Sequence, residues 1–100
     1  MNPAQLQKMM KQAQKMQNDM GAAQGELEAK EYTNTTGGAV TIKMLGSKEI
    51  LSIDINKDII DPDDKDMLED MIKSCINTLH TDINKETESV MGQYTKGLPF

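Results

Sequence analysis

The chain has 100 residues, of which 27% are charged, and its net charge at pH 7 is −5. A chain of this length forms one domain with a modest core. No segment approaches the about 20 consecutive apolar residues of a membrane span, so we expect a soluble, intracellular protein with no membrane partner. The lone cysteine, Cys75, excludes an internal disulfide and fits a reducing cytoplasm.

The charge is distributed unevenly along the chain. Residues 1–25 contain three lysines and one acidic residue, a net charge of +2, whereas residues 26–100 contain eight lysines and fifteen acidic residues, a net charge of −7. All 11 basic residues are lysines. Because arginine is the usual bidentate reader of guanine and lysine acts as a point charge, any nucleic-acid binding is predicted to be largely independent of sequence.

A seven-residue repeat predicts a long first helix. Asn2 is a good N-cap and Pro3 suits the first turn, so the helix should run from there to about residue 27. Its apolar residues alternate spacings of three and four, which places them on one narrow seam typical of coiled coils. The seam consists of Leu6, Met9, Ala13, Met16, Met20, Ala23 and Leu27. One helix cannot bury such a seam alone, which indicates a partner helix in this chain or in a second copy; an ordinary amphipathic core helix is the alternative.

The face opposite the seam is positively charged. Lys8, Lys11 and Lys15 fall within roughly a 60° arc at about 100° per residue. From the residues alone, a solvated outer face is one interpretation and a polyanion-binding face is the other.

The middle of the chain predicts three strands. Alternating polar and apolar residues place them at about 32–36, 40–44 and 50–55, with turns at Gly37-Gly38 and Gly46-Ser47. The glycine pair should supply positive φ angles. The third strand places three apolar residues on one face: Leu51, Ile53 and Ile55. We therefore expect an antiparallel meander with one apolar face.

A second long helix should follow the strands. Asp61 is a good N-cap and Pro62 suits the first helical position, so the nearby acids are interpreted as capping residues; the spacing and glycine of a calcium-binding EF-hand are missing. We expect no metal or cofactor. The helix has an apolar stripe to cover the sheet: Leu68, Met71, Ile72, Cys75, Ile76, Leu79, Ile83 and Val90. From Gly92 onward the chain is not expected to continue as regular helix, which gives a domain of residues 1–91 and a flexible tail of residues 92–100.

This order of elements, together with particular segments, resembles the YbaB/EbfC family of bacterial nucleoid-associated proteins. The resemblance covers essentially the whole chain. It rests on residues 9–17, on Gly37-Gly38 followed by residues 40–42, on residues 53–55, on residues 98–100 and, most specifically, on residues 61–70.

The resemblance implies an α/β (α+β) homodimer with projecting helices. Such a protein would bind duplex DNA in the cytoplasm, at the nucleoid, and contribute to nucleoid organisation or gene regulation, with no enzymatic activity and no small-molecule substrate. Matched to the family motif, the preferred DNA contacts are Lys8, Lys11, Gln12 and Lys15. Two further lysines are weaker candidates, Lys85 and Lys96.

Two other function classes compete with DNA binding. A protein-interaction module would use the methionine-rich seam, since methionine suits adaptable interfaces. An enzyme is disfavoured because no nucleophile, base or ligand cluster has usable spacing.

Overall fold

The computed structural model describes residues 2–95 and has the α+β order that the sequence predicts. Five main elements follow one another: helix α1 (Pro3–Ala29), strands β1 (Glu31–Thr36), β2 (Val40–Leu45) and β3 (Ile50–Ile55), and helix α2 (Lys65–Thr95). Two short 3₁₀ turns, Lys57–Ile59 and Pro62–Asp64, connect β3 to α2.

Helix α1 begins as its sequence predicts. The Asn2 side chain accepts a hydrogen bond from the Gln5 backbone N–H at 2.8 Å, and Pro3 occupies the first turn. At the other end the backbone becomes extended at Lys30, with φ −70° and ψ 140°. The chain therefore passes from helix to strand β1 within one residue.

The three strands form an antiparallel meander in the order β1-β2-β3. Gly37 and Gly38 close the first hairpin with φ angles of 59° and 66°, so the predicted positive φ is confirmed. The pairing of β2 with β3 is irregular between Lys43 and Met44, which marks a bulge.

The core lies between strand β2 and helix α2. Its fully or almost fully buried side chains are Val40, Ile42 and Met44 from the strand and Cys75, Leu79 and Ile83 from the helix. These helical residues belong to the predicted stripe, and its remaining members are partly buried. Burial of alternate strand residues against a helical stripe is what holds the sheet to α2.

Strand β3 is left largely uncovered. Helix α2 packs against β1 and β2. Ile50, Leu51 and Ile53 are consequently 42%, 44% and 47% exposed. Of the predicted apolar face of this strand, Ile55 is partly buried against the core, whereas Leu51 and Ile53 are exposed.

Both ends of α2 differ from the prediction. Asp61 caps the 3₁₀ turn Pro62–Asp64, where it accepts a hydrogen bond from the Asp63 N–H at 3.0 Å, and α2 itself begins at Lys65. At the other end the helix continues through Gly92 to Thr95, so the predicted end before Gly92 is wrong. A glycine inside a helix costs only about 1 kcal/mol, and its neighbours Val90, Met91 and Tyr94 are partly buried. The rest of the predicted tail, residues 96–100, lies outside the described residues.

The molecule is elongated. Its radius of gyration is 20.8 Å and its extents are 75 × 22 × 15 Å, whereas a compact domain of this length has a radius of gyration of about 13 Å. The 27 residues of α1 alone span about 40 Å. Within residues 2–95, no helix combines the length and apolar character needed to cross a membrane.

Candidate nucleic-acid interface

The apolar seam of α1 passes from buried to exposed toward its N-terminus. Leu27 is buried, and Ala23, Met20 and Met16 are partly buried. The seam residues farther out are exposed: Ala13, Met9 and Leu6, the last two by 53% and 50%. Because α1 packs mainly against α2, the second helix is the partner that closes the inner part of the seam. The outer part has no comparable cover within residues 2–95.

Every residue from 3 to 15 is exposed, and we call this segment the arm. It carries the four preferred DNA contacts of the sequence analysis: Lys8, Lys11, Gln12 and Lys15. The lysines span seven residues, or about 10 Å along the helix. In the part of the chain that the structure describes, none of them forms an ion pair. Three uncompensated positive charges therefore lie close together on one projecting helix.

The two weaker candidates do not lie on the arm. Lys85 is exposed on α2, next to Glu86. Since Glu86 and Leu27 line the same cleft, Lys85 lies near the inner end of α1. Lys96 falls outside the described residues.

Three charged or polar side chains meet where α1 joins the sheet, and we call them the junction cluster: Lys30, Tyr32 and Glu86. The Tyr32 hydroxyl donates a hydrogen bond to Glu86 Oε2 at 2.6 Å. The Lys30 ammonium forms an ion pair with the other carboxylate oxygen of Glu86 and lies 5.2 Å from the centre of the Tyr32 ring. Sequence analysis missed this cluster, because Glu86 lies 54 and 56 residues from its partners and no local pattern connects them.

The junction cluster shifts the titration of two of its members. The hydrogen bond from Lys30, followed by the one from Tyr32, lowers the pKa of the Glu86 carboxyl. Partial burial, together with the hydrogen bond to Glu86 and its negative charge, raises the pKa of Tyr32 to about 12. At neutral pH the Glu86 carboxylate is therefore ionised and the Tyr32 phenol is neutral.

The turn between β2 and β3 supports the end of α1 from another direction. The Gly46 N–H donates to the Lys30 carbonyl at 2.8 Å, and the Ser47 N–H donates to the Glu28 carbonyl at 3.1 Å. A β-carbon on Gly46 would lie 1.7 Å from the Leu27 carbonyl oxygen, so only glycine fits this contact. The sequence predicted the turn, but its contact with α1 carried no sequence signal.

Two capping side chains between β3 and α2 act locally. Asn56 and Asp61 accept hydrogen bonds from backbone N–H groups two residues later, as capping residues do. Across residues 2–95, no group of three or more histidine, cysteine, aspartate or glutamate side chains is arranged to hold a metal ion.

Comparison with known proteins gives one consistent result. A sequence profile of the YbaB/EbfC DNA-binding family matches residues 1–98. A nucleoid-associated protein of Clostridium novyi is 50% identical over 91 residues, which make up 90% of this chain and 80% of that protein. Another, from Enterococcus faecalis, is 42% identical over 94% of this chain and 91% of its own length.

The fold also has a counterpart among solved structures. The crystal structure of an uncharacterized protein from Helicobacter pylori superposes with a TM-score of 0.74 at 16% sequence identity, covering 95% of this chain and 98% of that one. The helix–meander–helix architecture is thus shared even where the sequences have diverged. Because the family profile spans nearly the whole chain and a relative reaches 50% identity over 90% of it, this protein belongs to the YbaB/EbfC DNA-binding family.

Proposed function

We propose that this nucleoid-associated protein binds duplex DNA with little sequence specificity through the lysines of its arm, as a homodimer, and so contributes to nucleoid organisation or gene regulation. Membership of a DNA-binding family supports the ligand class. The observation that carries the choice of surface is the arm itself. It is exposed along its whole length, and three lysines there face no acidic partner among the described residues.

The chemistry of the arm fits phosphate better than bases. Lys8, Lys11 and Lys15 are point charges, which neutralise phosphates without reading their neighbours. Gln12 lies between them in the sequence and adds an amide that hydrogen-bonds to the sugar-phosphate backbone. Lys85 would make at most a secondary contact, since it lies near the inner end of α1. Lys96 stays a weaker candidate.

Homodimerisation is supported by apolar surface that the single chain leaves open. Ile50, Leu51 and Ile53 lie about half exposed on an edge strand. An exposed apolar edge promotes unwanted pairing unless something covers it. A second copy is the occupant we propose, because two identical edge strands pair antiparallel about a two-fold axis and cover each other equally. The exposed outer seam of α1 adds further apolar surface for the same purpose.

The DNA-binding surface is tested by charge removal with a matched control. The test variant replaces Lys8, Lys11 and Lys15 by glutamine. The control replaces Lys43, Lys57 and Lys73, which are also exposed and outside the described ion pairs, and so changes the net charge equally. Binding to a labelled duplex is measured by fluorescence anisotropy at several salt concentrations, and oligomeric state by light scattering.

The arm variant should lose affinity and salt dependence together. If six arm lysines per dimer neutralise about two to six phosphates, each contributes about −0.9 to the slope of log K against log salt. Wild-type affinity should then fall by about tenfold to about a thousandfold between 50 and 200 mM salt, and the arm variant should show a much flatter slope. Equal slopes for the arm variant and the wild type would refute this choice of surface.

The dimer surface has its own test. Ile53→Asp introduces a charge on the exposed apolar side of β3, whereas Ser52→Asp introduces the same charge at the neighbouring exposed position. Light scattering should report monomers for the first variant at concentrations where the wild type and the second variant are dimers. A dimer that tolerates Ile53→Asp would place the contact elsewhere.

The alternative function, a protein-interaction module, is favoured by the apolar side chains of the arm. Leu6, Met9 and Met10 are 50%, 53% and 63% exposed. A stoichiometric protein partner that remains bound after nuclease treatment, and is released by Met9→Lys, would favour this function over DNA binding.

A further inference from the structure

Within residues 2–95, helix α1 is attached to the rest of the protein only at its inner half. Its partly or fully buried positions are Met16, Met20, Ala23 and Leu27, and every residue of the arm is exposed. The direction of the arm is therefore set by the packing of this inner half and by the place where the chain leaves α1. That place is Lys30, the residue at which helix becomes strand.

The backbone of Lys30 forms two hydrogen bonds. Its N–H donates to the Leu27 carbonyl at 3.3 Å, and its own carbonyl accepts the 2.8 Å bond from Gly46. The bond from Gly46 ties the end of α1 to the β2–β3 turn. The other neighbour of α1 is α2.

Glu86 supplies the link to α2. It lies with Leu27 and Lys30 along the cleft between the two helices. One carboxylate oxygen pairs with Lys30 and the other accepts the 2.6 Å bond from Tyr32. A single side chain of α2 thus binds Lys30, where helix becomes strand, and Tyr32, the second residue of β1.

A small rotation at Lys30 becomes a large movement of the arm. Lys8 lies 22 residues from Lys30, or about 33 Å along the helix. A rotation of about 10° would move Lys8 by about 6 Å, roughly twice the length of a hydrogen bond. Surface ion pairs add little to stability, so the value of this one lies in geometry more than in energy.

We propose that Glu86 is a positioning residue that fixes the direction of the α1 arm, so that its loss weakens DNA binding although it lies far from the arm lysines. The inference rests on the proposed function. A fixed arm holds its lysines in place before contact, and a loosened one loses conformational freedom on binding and so binds less tightly.

Electrostatics alone gives the opposite prediction, which makes the proposal easy to test. Removing an acidic residue from a protein of net charge −5 reduces its repulsion of DNA and should tighten binding. Glu86→Ala should instead weaken binding several-fold. The matched control is Glu88→Ala, which makes the same charge change two residues later at an exposed position outside the described ion pairs.

The direction of the arm is measured without DNA. Spin labels are placed at Gln7→Cys on the arm and Ser74→Cys on α2, both exposed, and the buried Cys75 stays unlabelled. Labelled chains are diluted into unlabelled protein so that each assembly contains one pair. Pulsed dipolar spectroscopy should give a shifted or broader distance distribution in Glu86→Ala, and an unchanged one in Glu88→Ala. Tyr32→Phe, which removes one hydrogen bond and no charge, should give a smaller change in the same direction.

Each outcome decides the proposal. An unchanged distance distribution in a folded Glu86→Ala protein overturns it, whatever the DNA affinity. A changed distribution with affinity equal to or tighter than that of Glu88→Ala overturns the link to binding. If the wild type itself binds no duplex at low salt, the proposed function fails, and the distance distribution alone then decides whether Glu86 directs the arm.

Discussion

Gly46→Ala is the substitution for which the structure makes the sharpest prediction. The new methyl group would lie 1.7 Å from the Leu27 carbonyl oxygen and 2.7 Å from its carbonyl carbon. Both contacts are to backbone, so no side chain can rotate away to relieve them. Either the turn or the end of α1 must move by more than 1 Å.

The cost follows from what that movement breaks. The backbone bonds from Gly46 to Lys30 and from Ser47 to Glu28 contribute about 0.5–1.5 kcal/mol each. Overpacking at a tight contact adds about 1–3 kcal/mol. We therefore expect Gly46→Ala to lower the free energy of unfolding by about 2–6 kcal/mol, a large part of the about 5–15 kcal/mol that holds a typical domain together.

Gly25→Ala is the matched control. Gly25 lies inside α1 near its inner end, and nothing lies within 4 Å of an added β-carbon. The same chemical change should there raise the free energy of unfolding by about 0.5–1 kcal/mol, because alanine favours helix over glycine. The two substitutions are thus predicted to have opposite signs.

Denaturant unfolding followed by circular dichroism measures both effects. All proteins must be compared at one concentration, since self-association adds to apparent stability. If the free energy of unfolding of Gly46→Ala is within 0.5 kcal/mol of the wild-type value, then the turn does not hold the end of α1. The proposed anchoring of the arm is then wrong.

Further substitutions and two pH-dependent measurements test separate parts of the structure. Asp61→Ala should cost about 1 kcal/mol of stability, and Asp61→Asn should cost little, because asparagine caps as well as aspartate; an equal loss in both variants would mean that the charge of Asp61, and not its capping hydrogen bond, is what stabilises the turn. Ile42→Ala should cost about 2–5 kcal/mol, since the residue is fully buried, and a loss below 1 kcal/mol would contradict the assigned core. Absorbance titration should reveal a tyrosine with a pKa of about 12 that disappears in Tyr32→Phe and titrates lower in Glu86→Ala. Because the pKa of Glu86 is lowered, its stabilising effect is present at neutral pH and lost as the pH falls through that pKa; the stability difference between wild type and Glu86→Ala should therefore shrink in acid.

Much of the fold was predictable because its signals are local. The cap at Asn2, the heptad spacing of α1 and the paired glycines of the first hairpin all act within a few residues, and each confirmed prediction involves that range. The stripe of α2 was predictable for the same reason. Its period of 3.6 residues requires one buried face, whatever lies opposite.

What could not be predicted depends on which surfaces meet. The sequence contains no sign that α2 covers β1 and β2 but leaves Ile53 exposed, because β3 has as many apolar residues as β2 and more than β1. Gly46 was recognisable as a turn residue, but its contact with Leu27 depends on how α1 returns to the sheet. Glu86 is one of many acids on α2, and only the folded chain brings it to Tyr32.

The end of α2 was predicted wrongly for a different reason. Helix propensity is a weak preference that packing overrides, and the partly buried residues Val90, Met91 and Tyr94 lie close to Gly92 on a helix that packs against α1. A glycine ends a helix when the chain gains by turning there. Here the helix continues to Thr95.

The distance between the outer arm and residues 26–100 determines how strongly the negative charge of those residues repels DNA bound at the arm. Lys8 lies 19 residues beyond the buried Leu27, or about 28 Å along the helix. The Debye length is about 8 Å at physiological salt but about 30 Å at 0.01 M. At physiological salt, the charge of −7 on residues 26–100 is therefore screened from DNA bound at the outer arm, whereas in dilute buffer it is not. Affinity for DNA should rise steeply as salt is lowered and then level off, once the Debye length reaches the distance from Lys8 to Leu27.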